Sequence, residues 1–484
     1  TKQIFKDLEL KNIKLVFHGF LNDEQLNPFY MNSHFCIFLS RNEGYGLPLV
    51  ESMWFKSIPI ISNISIFNEL MTDKYPKFDE KTDYTSSIVS FVNKIFNDEK
   101  YLKSSLIFGA NASGKSNFIK AIMLMRELVV GPTQLANNII SQIVPFLLDP
   151  NYIQKPSELE VTFYSKNIKY RYGLSIINGV ISEEWLYFTP KKRETLLFER
   201  EGMKINYNKT NFSEADLFIQ NNTIQKTPEN IPFITNLSSF NGEHSKNTTE
   251  WFSNVNVISG ITEGNLMPYS LNLIRNNPDF NLWLKNILRS FQISDINIEE
   301  TEQDFPFDQI KSNDENLSNL FSSLKNITQK QKSFLFSVIK KINGVEVAFP
   351  LEFESDGTRK LIFILGPIYD TMVNGKVLFI DEFDSKFHTL LSKHLFRIFH
   401  TQDESNSQII ASVQDTNLMD SEYFNRDQIW FVDKNNSGAS ELYSLVEYKQ
   451  KRKSYSEAYL EGAYNAIPLF EDGYNIDEIM NDGK

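Results

Sequence analysis

Cysteine is almost missing from this chain: Cys36 is the only one in 484 residues. That excludes an internal disulfide and any metal site built from thiolates alone. No run of about 18 apolar residues occurs, and no charged-then-apolar leader opens the sequence. A cytoplasmic protein with no membrane partner is therefore expected. Positive charge is also short. The 49 Lys and Arg face 61 Asp and Glu, a formal net charge of −12, which disfavours a broad nucleic-acid-coating surface while leaving room for a local basic groove. Internal repeats are lacking too. What the chain does have is core material: 41% hydrophobic residues, with 40 Phe and 20 Tyr, enough to exclude wholesale disorder.

The pattern of strands and helices divides into two unlike α/β units, 1–103 and 104–484. In the first, Lys14–Phe20, Phe35–Ser40 and Ile58–Ser62 read as short strands. Ile88, Phe91, Val92, Ile95 and Phe96 fall on one face of a helix over Ser86–Asn97. In the second, strands are expected at Ser105–Phe108, Val377–Ile380, Ile409–Val413 and Gln428–Val432. A β-meander is expected over Leu159–Tyr164, Lys169–Ile176 and Val180–Phe188. The segments Ser270–Ile293 and Asn316–Ile342 read as helical, separated by the acidic, polar stretch Asn297–Asp314. An insertion lobe over about residues 190–345 is expected to read a partner.

The sharpest local signal is Gly109-Ala110-Asn111-Ala112-Ser113-Gly114-Lys115-Ser116, a complete G-x-x-x-x-G-K-S between an apolar strand and an apolar helix. Glycines at this spacing let backbone N–H groups, including those of Asn111 and Ser113, curl around a phosphate, and the following helix aims its positive end at the anion. Lys115 would reach the β- and γ-phosphates of ATP, and Ser116 would ligate Mg²⁺. Val377-Leu378-Phe379-Ile380-Asp381-Glu382 is a buried-strand run ending in two acids. Beside a phosphate loop, Asp381 would hold the Mg²⁺ shell and Glu382 would activate water. Taken alone, such a strand end is common.

Upstream of the acids lies Glu354-Ser355-Asp356-Gly357-Thr358. By itself it is an ordinary turn, but it resembles the S-x-G-x signature of ABC-type ATPases. That resemblance implies that Ser355 and Gly357 contact a γ-phosphate held by a second copy, giving an ATP-sandwiched head-to-tail homodimer. Phe383-Asp384-Ser385-Lys386-Phe387-His388 sits where that family carries its D-loop, which implies that Asp384 communicates across the dimer. His388 reads as structural. In Ser412-Val413-Gln414-Asp415-Thr416-Asn417-Leu418, Gln414 takes the place of the switch histidine. A Gln amide can donate a hydrogen bond but cannot titrate or carry charge; ATP binding with hydrolysis is the expectation, without a histidine switch to speed it.

Residues 104–484 as a whole resemble the ABC-type AAA ATPases of bacterial abortive-infection systems, the RloA/AbiL kind. The tail carries the likeness further, in Arg426–Lys434, Glu441–Leu445 and Tyr459-Leu460-Glu461-Gly462-Ala463-Tyr464-Asn465-Ala466-Ile467-Pro468. The resemblance implies a sensor or regulator of phage defence beside a nuclease-like effector, with DNA as a further candidate partner. A nucleotide-dependent clamp without turnover is the alternative.

Residues 1–103 resemble the nucleotide-sugar-binding half of family 4 glycosyltransferases, of GT-B fold. The likeness rests on His18-Gly19-Phe20, Phe38-Leu39-Ser40 and the E-x7-E run Glu43-Gly44-Tyr45-Gly46-Leu47-Pro48-Leu49-Val50-Glu51. It implies that Gly44 and Gly46 admit a diphosphate, Glu43 faces the sugar and Glu51 bonds the ribose. The acceptor half and its basic residues are not expected here. Relatives of the second unit begin with a strand and hairpin before the phosphate loop, whereas Asn97–Lys103 leads straight into the loop strand. A hybrid truncated at the joint, its loop strand short of sheet partners, is the expectation.

Overall fold

The computed structural model describes residues 23–32, 35–38, 47–54, 58–62, 77–78, 101–191, 193–219, 227–261, 266–303, 331–401, 406–448 and 454–467. The chain forms two compact units, 1–100 and 101–484. Both are α/β. Among the described residues no helix is long and apolar enough to cross a membrane.

In the first unit, β1 (Phe35–Phe38), β2 (Ile58–Ser62) and β3 (Lys77–Phe78) form a parallel sheet in that order. Phe35 registers with Ile58 and Phe38 with Ile61, which is fully buried. Helix α1 (Asp23–Asn32) precedes β1, and α2 (Leu47–Trp54) links β1 to β2. Pro48 stands in the first turn of α2, where its missing N–H costs nothing. The strand expected at Lys14–Phe20 and the helix expected at Ser86–Asn97 lie outside the described residues.

The second unit is built on a six-stranded sheet in the order β10-β14-β15-β4-β16-β17. These strands are β4 (Ser104–Phe108), β10 (Val255–Ser259), β14 (Val377–Asp381), β15 (Gln408–Ser412), β16 (Ile429–Lys434) and β17 (Ser440–Ser444). All pairings are parallel except β16 with β17. Parallel strands covered on both faces read as continuous apolar runs, and the side chains here divide between two cores. Leu106, Phe108, Leu378, Ile380, Ile409, Ala411, Ile429 and Phe431 join the large core. Val377 and Phe379 meet Ile119 on the other face. The helix α3 (Lys115–Val130) supplies Ile119 and covers that side. The loop strand β4 is paired on both sides, by β15 and β16, so the expectation that it lacks sheet partners is not met. The sheet edges fall on β10 and β17.

The second half of α3 leaves this sheet for another. Leu124, Met125, Leu128 and Val129 pack into a core shared with a five-stranded antiparallel meander. Its strands are β5 (Ser157–Ser165), β6 (Ile168–Ile177), β7 (Val180–Thr189), β8 (Thr195–Glu201) and β9 (Lys204–Tyr207). Lys166 and Asn167, then Asn178 and Gly179, have positive φ at the first two hairpins, the backbone that two-residue turns require. Helices α4 (Phe233–Ser239) and α5 (Glu243–Ser253) close this core.

Of the two helical expectations one holds and one needs correction. Ser270–Ile293 is helical with a break, as α6 (Leu266–Asn276) and α7 (Pro278–Leu288). Pro278 interrupts the chain because it lacks an N–H and restricts its predecessor, and Asn277 caps α7 by accepting the Phe280 N–H at 2.9 Å. Ile293 already begins β11 (Ile293–Gln303). The part of Asn316–Ile342 that is described is a strand, β12 (Gln331–Ile342), antiparallel to β11 and to β13 (Val345–Pro350). The run Phe334–Ile339 is rich in aromatic and β-branched residues, which suit a pleated surface. Asn343 and Gly344 at φ 50° and 84° make the tight turn to β13, an Asn-Gly hairpin signal. The acidic stretch from Asn297 to Gln303 is thus strand as well.

Helix α8 (Asp356–Asn374) runs through the large core, with α6 and α7 against it. Pro367 inside α8 deprives the Phe363 carbonyl of its helical donor. The Ser270 hydroxyl fills the gap by donating to Phe363 O at 2.5 Å. Gly366 allows this approach, since a Cβ there would stand 2.2 Å from Ser270 Oγ. The helix stops at Gly375 in the left-handed region, φ 61°. Helix α9 (Thr389–His400) then leads to β15.

Candidate functional site

In open parallel sheets, ligands sit outside the carboxyl ends of the strands. Here three adjacent strands, β14, β15 and β4, deliver Asp381-Glu382, Gln414 and the Gly109–Gly114 loop to their shared carboxyl end. β15 separates the loop strand from the acidic strand.

The loop geometry follows from its glycines. Gly114 adopts φ 117° and caps α3; a Cβ there would fall 2.4 Å from Ser440 Oγ. At Gly109 a Cβ would fall 2.3 Å from the Val432 carbonyl oxygen. Both glycines are therefore required by β16, β17 and their joining turn even before a ligand is considered. Ser440 also donates to the Ser113 carbonyl at 2.6 Å. Lys115 is buried at the start of α3, and its ammonium donates to the carbonyls of Gly109 (2.6 Å) and Ala110 (3.1 Å). Burial pushes its pKa down, opposed by the charges of Asp381, Glu382 and Asp384. The Ser113 hydroxyl is buried within the loop with no hydrogen-bond partner among the described residues, while Asn111 and Ser116 are exposed. An ammonium, an orphaned hydroxyl and a helix N-terminus form a donor set suited to an anion. The hydroxyl of Ser116 and the carboxylate of Asp381 are the hard oxygen donors that Mg²⁺ takes.

The acidic turn is held from several sides. Ser412 Oγ donates to Asp381 Oδ1 at 2.5 Å and accepts the Glu382 N–H at 2.8 Å. Glu382 has φ 53°, uncommon for a side chain with a Cβ. Phe383 N–H donates to the Ser412 carbonyl at 3.0 Å, and Gly260 N–H to the Asp381 carbonyl at 2.6 Å. A Cβ on Gly260 would meet the Glu382 carbonyl oxygen at 2.2 Å. Asp384 is buried and accepts the N–H groups of Gln414 (2.8 Å) and Asp415 (2.5 Å). The Gln414 backbone is fastened in this way, while Gln414 itself is exposed. His388 caps α9 by accepting the Leu390 N–H.

Ser355 and Gly357 stand elsewhere, at the start of α8. Ser355 is exposed and caps the helix, accepting the Thr358 N–H at 3.2 Å. Gly357 lies under the turn that follows the acids, where a Cβ would come 2.9 Å from the Lys386 carbonyl oxygen. Asp356 pairs with Lys386 at 3.2 Å and with Arg359 at 2.7 Å.

Gly260, Lys360, Ser412 and Ser440 are site-shaping residues that motif reading passes over. Only Gly260 has a local signal, a glycine at the end of the short alternating run Val255–Ser259. Of the residues expected in the first unit, Glu43, Gly44 and Gly46 lie outside the described residues, and Glu51 is exposed on α2.

The family described as "AAA domain, putative AbiEii toxin, Type IV TA system" matches residues 104–420. Residues 2–113 match the glycosyl transferases group 1. O-antigen chain mannosyltransferase RfbU of Salmonella typhimurium is 30% identical over 89 residues, 18% of this chain and 25% of that protein. The chain thus spans about a quarter of the curated relative's length. Among solved structures, the SMC head domain from Thermotoga maritima is 14% identical with a TM-score of 0.34, covering 70% of this chain and 89% of that one. An Smc head domain bound to the C-winged helix domain of ScpA is 15% identical with a TM-score of 0.29, covering 74% and 93%.

Proposed function

The chain belongs to the AbiEii-type AAA-domain family, and from that premise we propose that residues 101–484 bind Mg-ATP and hydrolyse it in a head-to-tail homodimer. The observation that carries this reading is that the Gly109–Gly114 loop, Lys115 and the Asp381-Glu382 pair gather at the carboxyl ends of neighbouring inner strands. In it, the loop amides, Ser113 and Lys115 hold the triphosphate, and Ser116 and Asp381 hold Mg²⁺, which neutralises charge on the phosphates. Glu382 orients and deprotonates water, and Gln414 lies beside the γ-phosphate as a neutral donor. Ser355, exposed at the N-terminus of α8, and the half-buried Gly357 beside it cover the nucleotide of the second copy, with Asp384 bracing the switch loop behind it. Catalysis of this kind works by positioning and charge stabilisation, with no covalent intermediate.

The biological setting we assign is phage defence by abortive infection in the cytoplasm, the ATPase acting as sensor or regulator of a nuclease-like effector, with DNA as a candidate trigger. The family description supports that setting. For the first unit, the group 1 glycosyltransferase match favours a second reading, a nucleotide-sugar-binding half in which Glu43 and Glu51 contact donor sugar and ribose.

Phosphate release by the purified chain, with and without DNA, against Lys115→Ala tests the main reading. Turnover by wild type that Lys115→Ala abolishes supports it. Turnover retained in the variant, or no heat on titrating Mg-ATP into folded wild type, ends it. Binding without any phosphate release would select the non-hydrolysing clamp instead.

A further inference from the structure

Lys360 is a lysine in the wrong place for a surface residue: it is 2% exposed, on the inward face of α8 one turn beyond Gly357. Its ammonium donates to the carbonyls of Phe383 at 2.7 Å and Ser385 at 2.5 Å, with a longer contact to Glu382 O at 3.4 Å. It also stands 4.3 Å from the centroid of the Phe387 ring, a face that attracts cations. The acidic turn is neither helix nor strand: Glu382 O accepts the Ser385 N–H at 3.3 Å and Asp384 O the Phe387 N–H at 3.0 Å, while the carbonyls of Phe383 and Ser385 face Lys360, and a buried carbonyl without a donor is costly. One ammonium with several rotatable N–H groups answers them together.

The turn that Lys360 grips contains Glu382 in its left-handed conformation. Such backbone persists only where surrounding contacts over-determine it. Ser412 holds Glu382 from the N–H side, and Lys360 holds the carbonyls that follow. The same helix reaches the far end of the turn a second time through the Asp356–Lys386 pair and the packing of Gly357 under Lys386. Helix α8 is therefore tied at its N-terminus to the whole segment from Glu382 to Lys386.

We infer that Lys360 is a positioning residue that sets the orientation of Glu382 and mechanically joins it to Ser355 and Gly357. The inference rests on the ATPase reading above. When Ser355 and Gly357 engage the nucleotide of a second copy, α8 carries that event through the Lys360 ammonium to Glu382 of its own site. Occupancy of one site then tunes hydrolysis at the other, while nucleotide capture by Lys115 is left alone.

The test compares wild type, Lys360→Met and Lys360→Arg as full chains, measuring Mg-ATP affinity by calorimetry and phosphate release against ATP concentration. Lys360→Met should bind Mg-ATP with Kd within about threefold of wild type while kcat falls by roughly 10- to 100-fold, the scale of a misplaced reacting group. Lys360→Arg, which keeps a cation for the carbonyls, should recover part of kcat. It also carries the test should the Met variant fail to fold, its kcat then falling below wild type at unchanged Kd. Wild-type kcat in Lys360→Met, or parallel loss of affinity and kcat in both folded variants, overturns the inference while the ATPase reading stands. Absence of binding by wild type itself ends both.

Discussion

Ser412 and Asp381 are neighbours across the β14–β15 pair, and one hydroxyl serves two groups: it donates to the Asp381 carboxylate and accepts the N–H of Glu382. The end of β15 therefore fixes both acids at once. Ser412→Ala leaves the Glu382 N–H without its acceptor, a loss of about 1–3 kcal/mol for a buried donor. Urea unfolding followed by tryptophan fluorescence should show that destabilisation, and calorimetry should show weaker Mg²⁺ dependence of ATP binding.

The second prediction is a compensation. Ser270 supplies the donor that Pro367 denies to the Phe363 carbonyl. Ser270→Ala should destabilise by about 1–3 kcal/mol. Adding Pro367→Ala restores a helical N–H for that carbonyl, so the double variant should regain part of the loss. Chemical denaturation of the two single variants and the double variant reads the coupling; strict additivity would contradict the assigned bond.

Crowding at Gly114 predicts a different pattern. Gly114→Ala places a Cβ 2.4 Å from Ser440 Oγ at φ 117°. Relieving the clash with Ser440→Gly should recover only part of the damage, since the backbone strain, about 1–3 kcal/mol, stays. Thermal melting and Mg-ATP affinity should both be worst in Gly114→Ala and intermediate in the double variant.

A pH prediction comes from His400. Burial lowers its pKa below the ordinary 6.5, with Lys103 adding to the effect. Its Nε2 lies 2.6 Å from Ser104 Oγ, which itself accepts from Gln428 Nε2 at 3.0 Å. Burial favours the neutral ring, and that ring shares one hydrogen bond with the Ser104 hydroxyl. Folding favours the unprotonated form, so this contribution is complete above pH 6.5 and is lost as pH falls through the lower folded value. Unfolding curves from pH 7.5 to 5 should show stability dropping on acidification, with a shallower drop in His400→Gln.

How much of this was readable in advance depends on range. The phosphate loop, its strand and its helix are contiguous, so Leu106–Phe108, Gly109–Ser116 and Ile119–Met125 declare themselves together. The acidic strand is equally plain, since β14 is buried on both faces and reads Val-Leu-Phe-Ile. The short strand Val255–Ser259 has little local signal, because Asn256 and Ser259 interrupt its apolar residues and its pairing partner, β14, lies far along the chain. The mostly apolar run Phe334–Ile339 has no decisive period, so helix and strand look alike in it, and only the Asn343-Gly344 pair marks a hairpin. Lys360, Ser412 and Ser440 act through tertiary contacts with carbonyls and N–H groups, which leave no trace in a local pattern. The α/β character and the resemblance of each part were legible because they rest on motifs, whereas the residues that shape the acidic turn were not.

The route of the chain between its two sheets has a mechanical corollary. After the meander, α5 runs directly into β10, which registers Ser259 against Asp381 and places Gly260 on the acidic turn. The meander is spliced in series with the strand that flanks the acids. A tug on that lobe by anything it grips would travel to Asp381 and Glu382 along covalent bonds and one parallel ladder, a short tether between a distant handle and the site.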